Sequence, residues 1–271
     1  MYEWKTSLPF IFYIFNMNNF GLEYHLVDSC NLKCAGCSHY SSLLNKLTYK
    51  SVDQINNDLT LLKNKIGDNL GWLRLLGGEP LLHPNINDCL LIIYNIFPNT
   101  RLIIVTNGLL VNKMSQTFYD ICKKYNIEIK ITDYNILDLK NTILNLKNYG
   151  IKTSIYKSNS IWKYQCIKKN NEITDYFSKC TYKNMCNNYN NGKIYLCPRI
   201  AYINIFNNFF NENIQLDESD YIDINEINSY EELQDKLKKL TPHFCYHHCN
   251  PTPINGKWKK TNKNINEFCL I

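Results

Sequence analysis

Short apolar runs alternate with segments of helical periodicity through the first 165 residues of the chain. The apolar runs are rich in Ile, Val, Leu or Tyr and end at polar residues or glycine, which predicts strands. The predicted strands are Glu23–Asp28, Trp72–Leu76, Arg101–Thr106, Ile127–Thr132 and Gly150–Tyr156. The segments with apolar residues at helical spacing are Ser51–Lys65, Asn85–Ile96, Lys113–Tyr125 and Ile136–Asn148. Repeated strand–helix units predict a parallel sheet with helices outside, doubly wound or barrel-like, with too few units for a complete eight-stranded barrel.

This alternation of predicted strands and helices ends near residue 165, where loops rich in Cys and Asn begin. One strand is predicted at Gly192–Cys197 and one helix at Ser229–Leu240. We therefore expect two units, residues 1–165 and a smaller unit of residues 166–271 packed on it. Residues 1–22 are expected to be an N-terminal packing segment, because their apolar run is too short to span a membrane and offers no signal-peptide cleavage site.

Composition narrows the class of protein. The chain has 271 residues, of which 45% are hydrophobic and 20% charged, as expected for a globular protein. The net charge of +6 is mild and dispersed, which argues against nucleic acid as a partner. Without a membrane span or a secretion signal, we expect a cytoplasmic protein with no membrane partner. In that setting, clusters among the 12 Cys indicate metal ligation before disulfides.

The first Cys cluster follows the first predicted strand directly. Cys30, Cys34 and Cys37 form the spacing C-x3-C-x2-C. Three thiolates on one short loop suit an iron–sulfur cubane and leave one iron open for another ligand, whereas zinc usually has four protein ligands. The next two strands end in the polar turns Gly77-Gly78-Glu79-Pro80 and Thr106-Asn107-Gly108. In a parallel sheet, these three loops belong to the same edge.

These three motifs in this order resemble those of the radical S-adenosylmethionine (SAM) superfamily. The resemblance implies a partial (β/α)6 TIM-like barrel, here followed by a small Cys-rich C-terminal α+β extension. It implies that the three Cys residues hold a [4Fe–4S] cluster whose open iron binds SAM. Gly77, Gly78 and Glu79 would then meet the SAM amino group, and Asn107 would contribute to the cofactor site. The family often has an aromatic residue where this chain has Gly36, so Tyr40 or His39 is expected to contact the adenine.

The resemblance also implies a reaction. An electron from a donor such as flavodoxin or ferredoxin would enter the cluster, SAM would break, and a 5′-deoxyadenosyl radical would take a hydrogen atom from a small-molecule substrate. The cofactor supplies this chemistry, while the barrel positions the substrate and excludes competing hydrogen donors.

A second Cys group lies in the last third of the chain. Its spacing resembles the SPASM/Twitch extensions of radical SAM enzymes, and the number of Cys favours the Twitch type with one auxiliary [4Fe–4S] cluster. The ligands implied are Cys180, Cys197, Cys245 and Cys249. The alternative is a zinc site formed by Cys245, Cys249 and either His247 or His248. Cys186 and Cys269 are spare, and Cys89, Cys122 and Cys166 are expected to be core thiols.

Three functions remain open from the sequence. The first is dehydrogenation or epimerisation of a small polar metabolite, namely a sugar, an aminocyclitol or a nucleotide-sugar. In that reading Arg199 would bind the substrate, and Cys186 would return hydrogen if the reaction is an epimerisation. The second is maturation of a ribosomally made peptide, and the third is a zinc-stapled binding module without catalysis.

Overall fold

A computed structural model describes residues 20–157, 162–164, 167–168, 173–180, 183, 185–250 and 254–270. Most of the predicted N-terminal packing segment, residues 1–19, and the predicted core thiol Cys166 lie outside the described residues. None of the helices in the described part of the chain has the length and apolar character that a membrane crossing requires.

Between residues 20 and 157, five strands and four helices alternate, as the periodicity predicts. The strands are β1 (Gly21–Val27), β2 (Trp72–Gly77), β3 (Arg101–Thr106), β4 (Glu128–Asp133) and β5 (Thr153–Lys157). The helices are α1 (Val52–Ile66), α2 (Ile86–Ile96), α3 (Gln116–Lys124) and α4 (Lys140–Asn148). Helix α1 begins after Ser51 because Ser51 and Gln54 form a reciprocal capping box.

Two helices begin later than predicted, and each has a local reason. Helix α3 begins after Ser115, whose hydroxyl accepts the amide of Phe118 at 3.2 Å. Helix α4 begins at Lys140 instead of Ile136. Asn135 has a φ of 57°, and Asp138 accepts the Lys140 amide at 3.0 Å, so the chain is still turning at these residues.

The part of the chain after β5 contributes short elements. Its strands are β6 (Trp162–Tyr164), β7 (Ile167–Lys168), β8 (Asn188–Asn190), β9 (Lys193–Tyr195), β10 (Ile222–Asp223), β11 (Ile254–Gly256) and β12 (Cys269–Leu270). Its helices are α5 (Pro198–Ala201), α6 (Ile203–Phe210), α7 (Tyr230–Lys239) and α8 (His243–His247). Strand β9 and helix α7 correspond to the strand and the helix that the sequence predicts in this half. Strand β6 pairs with β11, and β7 pairs with β12.

The main sheet has eight strands in the order β10-β9-β8-β1-β2-β3-β4-β5. Strands β1 to β5 are parallel, and β8 joins the free side of β1 in parallel before the chain turns back through β9 and β10. The fold is therefore α/β with an open sheet dominated by parallel pairs, as in a partial TIM-like barrel. The main sheet contains strands from both sides of the boundary predicted at residue 165. That boundary therefore marks a change from parallel to antiparallel connections within one sheet.

The two faces of the sheet differ because side chains alternate along each strand. On β1, Leu22, Tyr24 and Leu26 are fully buried in the core that includes apolar residues of α1 to α4. Glu23 and His25 lie on the opposite side, which we call the inner face. Burying each large apolar side chain of the core contributes roughly 1.5–3 kcal/mol.

A second apolar cluster joins the barrel to the C-terminal residues. Tyr40 and Leu43, which follow the Cys loop, pack with residues of the second unit. Those residues include Ile200, Phe206, Phe244 and Phe268. This cluster fixes the second unit against the end of the sheet where the predicted site lies.

Candidate active site

The structure brings Cys30, Cys34 and Cys37 together at the carboxyl end of β1. Lys33 and Gly36 have φ values of 54° and 63°, which turn the loop back on itself. Burial, together with the nearby thiol of Cys37, raises the pKa of Cys30 to about 11. Burial also raises the pKa of Cys34, with added repulsion from the other two thiols. Three thiols this close suit a shared acceptor of their negative charge.

The loop surrounds the sulfurs with N–H donors. The Leu32 amide lies 3.4 Å from Cys30 Sγ, and Asn107 Nδ2 lies 3.8 Å from the same sulfur. Backbone amides of residues 39–42 donate towards the sulfur of Cys37 and lower its pKa, which burial raises. Donors of this kind stabilise thiolates, so the loop fits an anionic iron–sulfur cluster.

A C-terminal segment, residues 258–261, lies against the same loop. Its backbone pairs with it through Ala35 N to Lys259 O at 3.0 Å and Thr261 N to Lys33 O at 2.9 Å. Trp258 Nε1 donates to Cys34 Sγ at 3.2 Å. This contact could not be predicted from the sequence, because 224 residues separate Trp258 from Cys34 and no local sequence pattern indicates that they meet.

The paired glycines after β2 are required by the backbone of the Cys loop. A Cβ on Gly77 would lie 1.8 Å from Val27 O, and one on Gly78 would lie 2.0 Å from Ser29 O. The Gly78 amide donates to Val27 O at 2.8 Å. The structure thus gives these glycines a role in joining the two strand ends, and their contact with SAM stays a prediction.

Glu79 connects the second polar turn to the third. Its side chain is fully buried and accepts hydrogen bonds from Thr106 Oγ1 at 2.7 Å, Asn107 N at 2.9 Å and Leu81 N at 3.1 Å. Desolvation outweighs these donors and raises the pKa of Glu79 to about 7. The carboxyl group holds the site together, and its contact with the SAM amino group stays a prediction.

This buried carboxyl group predicts a pH dependence of stability. Because the pKa rises from 4.5 to about 7 on folding, the stabilisation is present below pH 4.5 and is lost as the pH rises to 7. Over this range the free energy of unfolding falls by up to about 3 kcal/mol. The thermal unfolding midpoint of the reconstituted protein should therefore fall between pH 5 and pH 8. Glu79→Gln should flatten this fall, whereas Glu218→Gln at an exposed site should not. Equal slopes in all three proteins would contradict the assignment.

The other predicted cofactor residues have distinct surroundings. Asn107 Nδ2 donates to Asn31 Oδ1 at 2.8 Å, beside the Cys loop. Tyr40 is 2% exposed, its hydroxyl donates to Arg199 O at 3.3 Å, and its ring packs in the second apolar cluster. The structure thus gives Tyr40 a role between the two units, and its contact with adenine stays a prediction.

His39, the alternative adenine contact, belongs to a partly buried series of hydrogen-bonded polar groups. Its Nδ1 lies 2.7 Å from His25 Nε2, and His25 Nδ1 lies 2.9 Å from Asp28 Oδ1. The ring of Tyr202 stacks on His25 with centroids 3.6 Å apart. Desolvation lowers the pKa of both histidines, so both rings are favoured in the neutral form. The sequence signal for these polar groups is that His25, like Glu23, alternates with the apolar residues of β1.

The four predicted auxiliary ligands also come together. Burial raises the pKa of Cys245, and the nearby thiols of Cys249, Cys197 and Cys180 raise it further. Arg199 Nη1 lies 3.8 Å from Cys249 Sγ. Among the residues that the structure describes, no three His, Cys, Asp or Glu side chains converge as the ligands of a single metal ion would. A cubane needs no such convergence, because each thiolate binds a different iron.

The remaining Cys residues divide between the core and the inner face. Cys89 and Cys122 are buried in α2 and α3, which confirms them as core thiols. Cys269 is buried in the second apolar cluster. Burial raises the pKa of Cys186, and Glu23 and Cys197 are the neighbours that raise it further. Cys186 therefore lies near both the auxiliary Cys group and Glu23 of the inner face, and its environment favours the neutral thiol.

Comparison with known proteins identifies the first unit. Residues 24–156 match the family model of the Radical SAM superfamily. GTP 3′,8-cyclase of Nostoc sp. is 32% identical over 119 residues, 43% of this chain and 36% of the cyclase. The enzyme of the same name from Trichodesmium erythraeum is 33% identical over 121 residues, 44% of this chain and 37% of that protein. The chain thus spans just over a third of the length of these curated relatives.

Similar solved structures are more distant. A crystal structure of BtrN in complex with AdoMet and 2-DOIA has a TM-score of 0.44 and 14% identity, over 81% of this chain and 82% of BtrN. A structure of native anSMEcpe with bound AdoMet has a TM-score of 0.39 and 15% identity, over 49% of this chain and 43% of that one. The family match includes the Cys loop, both polar turns and most of the parallel strands. Residues 24–156 therefore form a radical SAM domain.

Proposed function

We propose that this chain is a radical SAM enzyme that dehydrogenates or epimerises a small polar metabolite of the sugar, aminocyclitol or nucleotide-sugar class. The observation that supports this most is the partly buried three-Cys loop, held at the carboxyl end of β1 within a ring of N–H donors. Polar side chains on the adjoining inner face offer a surface for a hydroxylated substrate. A zinc-stapled binding module without catalysis would not require such a surface.

Cys30, Cys34 and Cys37 would hold the catalytic cluster. When bound, the cluster and SAM supply a 5′-deoxyadenosyl radical that takes a hydrogen atom from a substrate C–H bond. The chain contributes donors to the sulfurs and the Glu79 connection between the two polar turns. The electron comes from a low-potential donor of the flavodoxin or ferredoxin kind.

The hydrogen bond from Trp258 to Cys34 predicts a shift in reduction potential. An N–H donor withdraws charge from a thiolate and favours the reduced, more negative cluster. Trp258→Phe should therefore give a more negative midpoint potential in a titration followed by electron paramagnetic resonance (EPR). Trp72→Phe is the matched control, because Trp72 lies at the opposite end of the sheet beside Arg74. An unchanged potential in Trp258→Phe with full iron content would contradict this role.

A second cluster held by Cys180, Cys197, Cys245 and Cys249 completes the proposal. In a dehydrogenation, the substrate radical would lose a proton to a base and an electron to this cluster, which leaves a carbonyl group. In an epimerisation, the Cys186 thiol would give its hydrogen atom to the substrate radical. One electron from the second cluster and one proton would then restore that thiol. The guanidinium of Arg199 beside Cys249 would compensate part of the cluster charge, instead of binding the substrate directly.

The names of the relatives favour a second candidate. The two cyclases named above act on GTP by their names, and their identity with this chain lies above 30%. A nucleotide substrate is therefore the main competitor, ahead of a peptide. It remains second because the match leaves more than half of each chain unpaired.

Transfer of deuterium separates these candidates. The reconstituted, reduced protein would be incubated with SAM and, one at a time, with carbon-deuterated aminocyclitol, nucleotide-sugar, GTP and a short peptide. The proposal expects deuterium in 5′-deoxyadenosine from a carbinol carbon of one of the first two. Deuterium from GTP alone, or from the peptide alone, would overturn it in favour of the corresponding alternative.

A further inference from the structure

The inner face of the sheet has more cations than carboxylates. Glu23 on β1 and Arg74 on β2 are register neighbours, and Glu128 and Lys130 follow on β4 at alternate positions of the same side. Arg101 lies beside Glu128 at the opposite end of the strands from the Cys loop. Three cations therefore share this face with two carboxylates, and Lys130 is the cation nearest the level of His25.

Both carboxylates already have partners. Glu23 accepts from Arg74 Nη1 at 3.0 Å and from Asn188 Nδ2 at 3.3 Å. Glu128 forms an ion pair with Arg101 and accepts from Ser154 Oγ at 2.8 Å. Lys130 has no carboxylate within ion-pair distance in the described part of the chain, and its ammonium group lies 5.8 Å from the centroid of the Tyr156 ring.

Lys130 is nevertheless partly buried. Desolvation is the main cause that lowers its pKa, and the positive charge of Arg74 adds to it. Glu128 and Glu23 favour the charged form from beyond ion-pair distance, but desolvation outweighs them. A partly buried cation with no contact ion pair is unfavourable for the empty protein, and an anion placed beside it reduces that cost.

Unpaired polar atoms lie on the same face. Arg74 Nε and Asn188 Oδ1 are buried and have no hydrogen-bond partner among the described residues. Asn188 is fully buried, and its pairing with Glu23 across β8 and β1 turns it to the inner face. Tyr202, which is 3% exposed and stacks on His25, also has an unpaired hydroxyl in this part of the chain. The face thus offers the Nε–H donor of Arg74, the Oδ1 acceptor of Asn188 and the hydroxyl group of Tyr202.

We infer that Lys130 and Arg74 bind an anionic group, phosphate or carboxylate, of a hydroxylated substrate on the inner face, while Asn188 and Tyr202 bind its polar groups. This inference rests on the proposed function and narrows it. Among the substrate classes considered, a phosphate-bearing nucleotide-sugar or a sugar acid fits this face. A neutral sugar leaves Lys130 without a contact ion pair, and a cationic aminocyclitol is repelled by it.

Calorimetric titration of the reconstituted full chain tests this directly. The probes are inorganic pyrophosphate, glucuronate and, as the neutral control, glucose. Saturable binding of pyrophosphate or glucuronate but not of glucose is expected, and the stronger of the two anions identifies the source of the negative charge. Lys130→Met should weaken that binding about tenfold or more, and Lys130→Arg should keep most of it. Lys239→Met, at an exposed lysine at the end of α7, should leave it unchanged.

Two results would overturn the inference. One is the absence of saturable anion binding by the wild-type protein, and the other is equal binding by Lys130→Met with an unchanged thermal unfolding midpoint. Loss of folding is not expected, because methionine keeps the apolar stem of the side chain and removes a desolvated charge. These outcomes are separate from the proposed function. Cleavage of SAM without anion binding rejects the anion site alone, and anion binding without cleavage rejects the radical chemistry alone.

Discussion

Cys34→Ala should lose all cleavage of SAM to 5′-deoxyadenosine. Cys34 is 6% exposed, receives the Trp258 hydrogen bond and lies between the other two thiols of the loop. With only two thiolates left, the loop cannot hold a cubane with three protein ligands and one open iron. The measurement is chromatographic quantification of 5′-deoxyadenosine after anaerobic reconstitution and reduction.

Cys122→Ala is the matched control for this substitution. Cys122 is also buried, and burial raises its pKa to about 12, yet it lies in α3 among apolar residues. It should cleave SAM at the wild-type rate. Undiminished cleavage by a folded Cys34→Ala protein, or equal losses in both variants, would contradict the assignment of the Cys loop.

Reconstituted wild-type protein should contain about eight irons per chain, as two cubanes require. Cys245→Ala should retain about four, because Cys245 is the thiol whose neighbours are the other three Cys residues of the second group. The remaining irons should give an EPR signal that SAM perturbs, since the first loop is unaltered. Iron and zinc are measured by mass spectrometry. About four irons with one tightly bound zinc in the wild type would support the zinc alternative at Cys245 and Cys249.

The strand–helix half of the fold could be predicted because its signal is local. Each βα unit has its own apolar run and its own helical period, and the predicted strands agree with β1 to β5 within three residues at either end. The Cys loop and the two polar turns could be placed at one edge for the same reason, since parallel strands bring their carboxyl ends together. The shift at α4 came from turn chemistry at Asn135 and Asp138, which competes with helical periodicity.

The second half could be predicted only in part, because its positions depend on distant residues. Strand β8 reads Asn188-Tyr189-Asn190, which has no apolar run, yet it pairs with β1 and extends the sheet. The contact of Trp258 with Cys34 and the packing of Tyr40 on Phe206 likewise join residues more than 150 positions apart. No local pattern specifies such pairs.

The polar inner face of the sheet could be predicted from the sequence in part. Glu23 and His25 alternate with Leu22, Tyr24 and Leu26, and this period of two already indicates that β1 turns polar groups away from the helices. Arg74 and Lys130 repeat the signal on β2 and β4. Which of these charges lack a partner depends on the register between strands, and only the structure provides that register.

The central claim is that the Cys30 loop supports radical cleavage of SAM, and one assay tests it most directly. Anaerobically reconstituted wild-type protein is reduced in the presence of SAM, and 5′-deoxyadenosine is quantified against time. Formation of 5′-deoxyadenosine that requires both the reductant and the intact Cys loop is the predicted result. A fully loaded, folded and reduced protein that forms no more 5′-deoxyadenosine than Cys34→Ala would contradict the account.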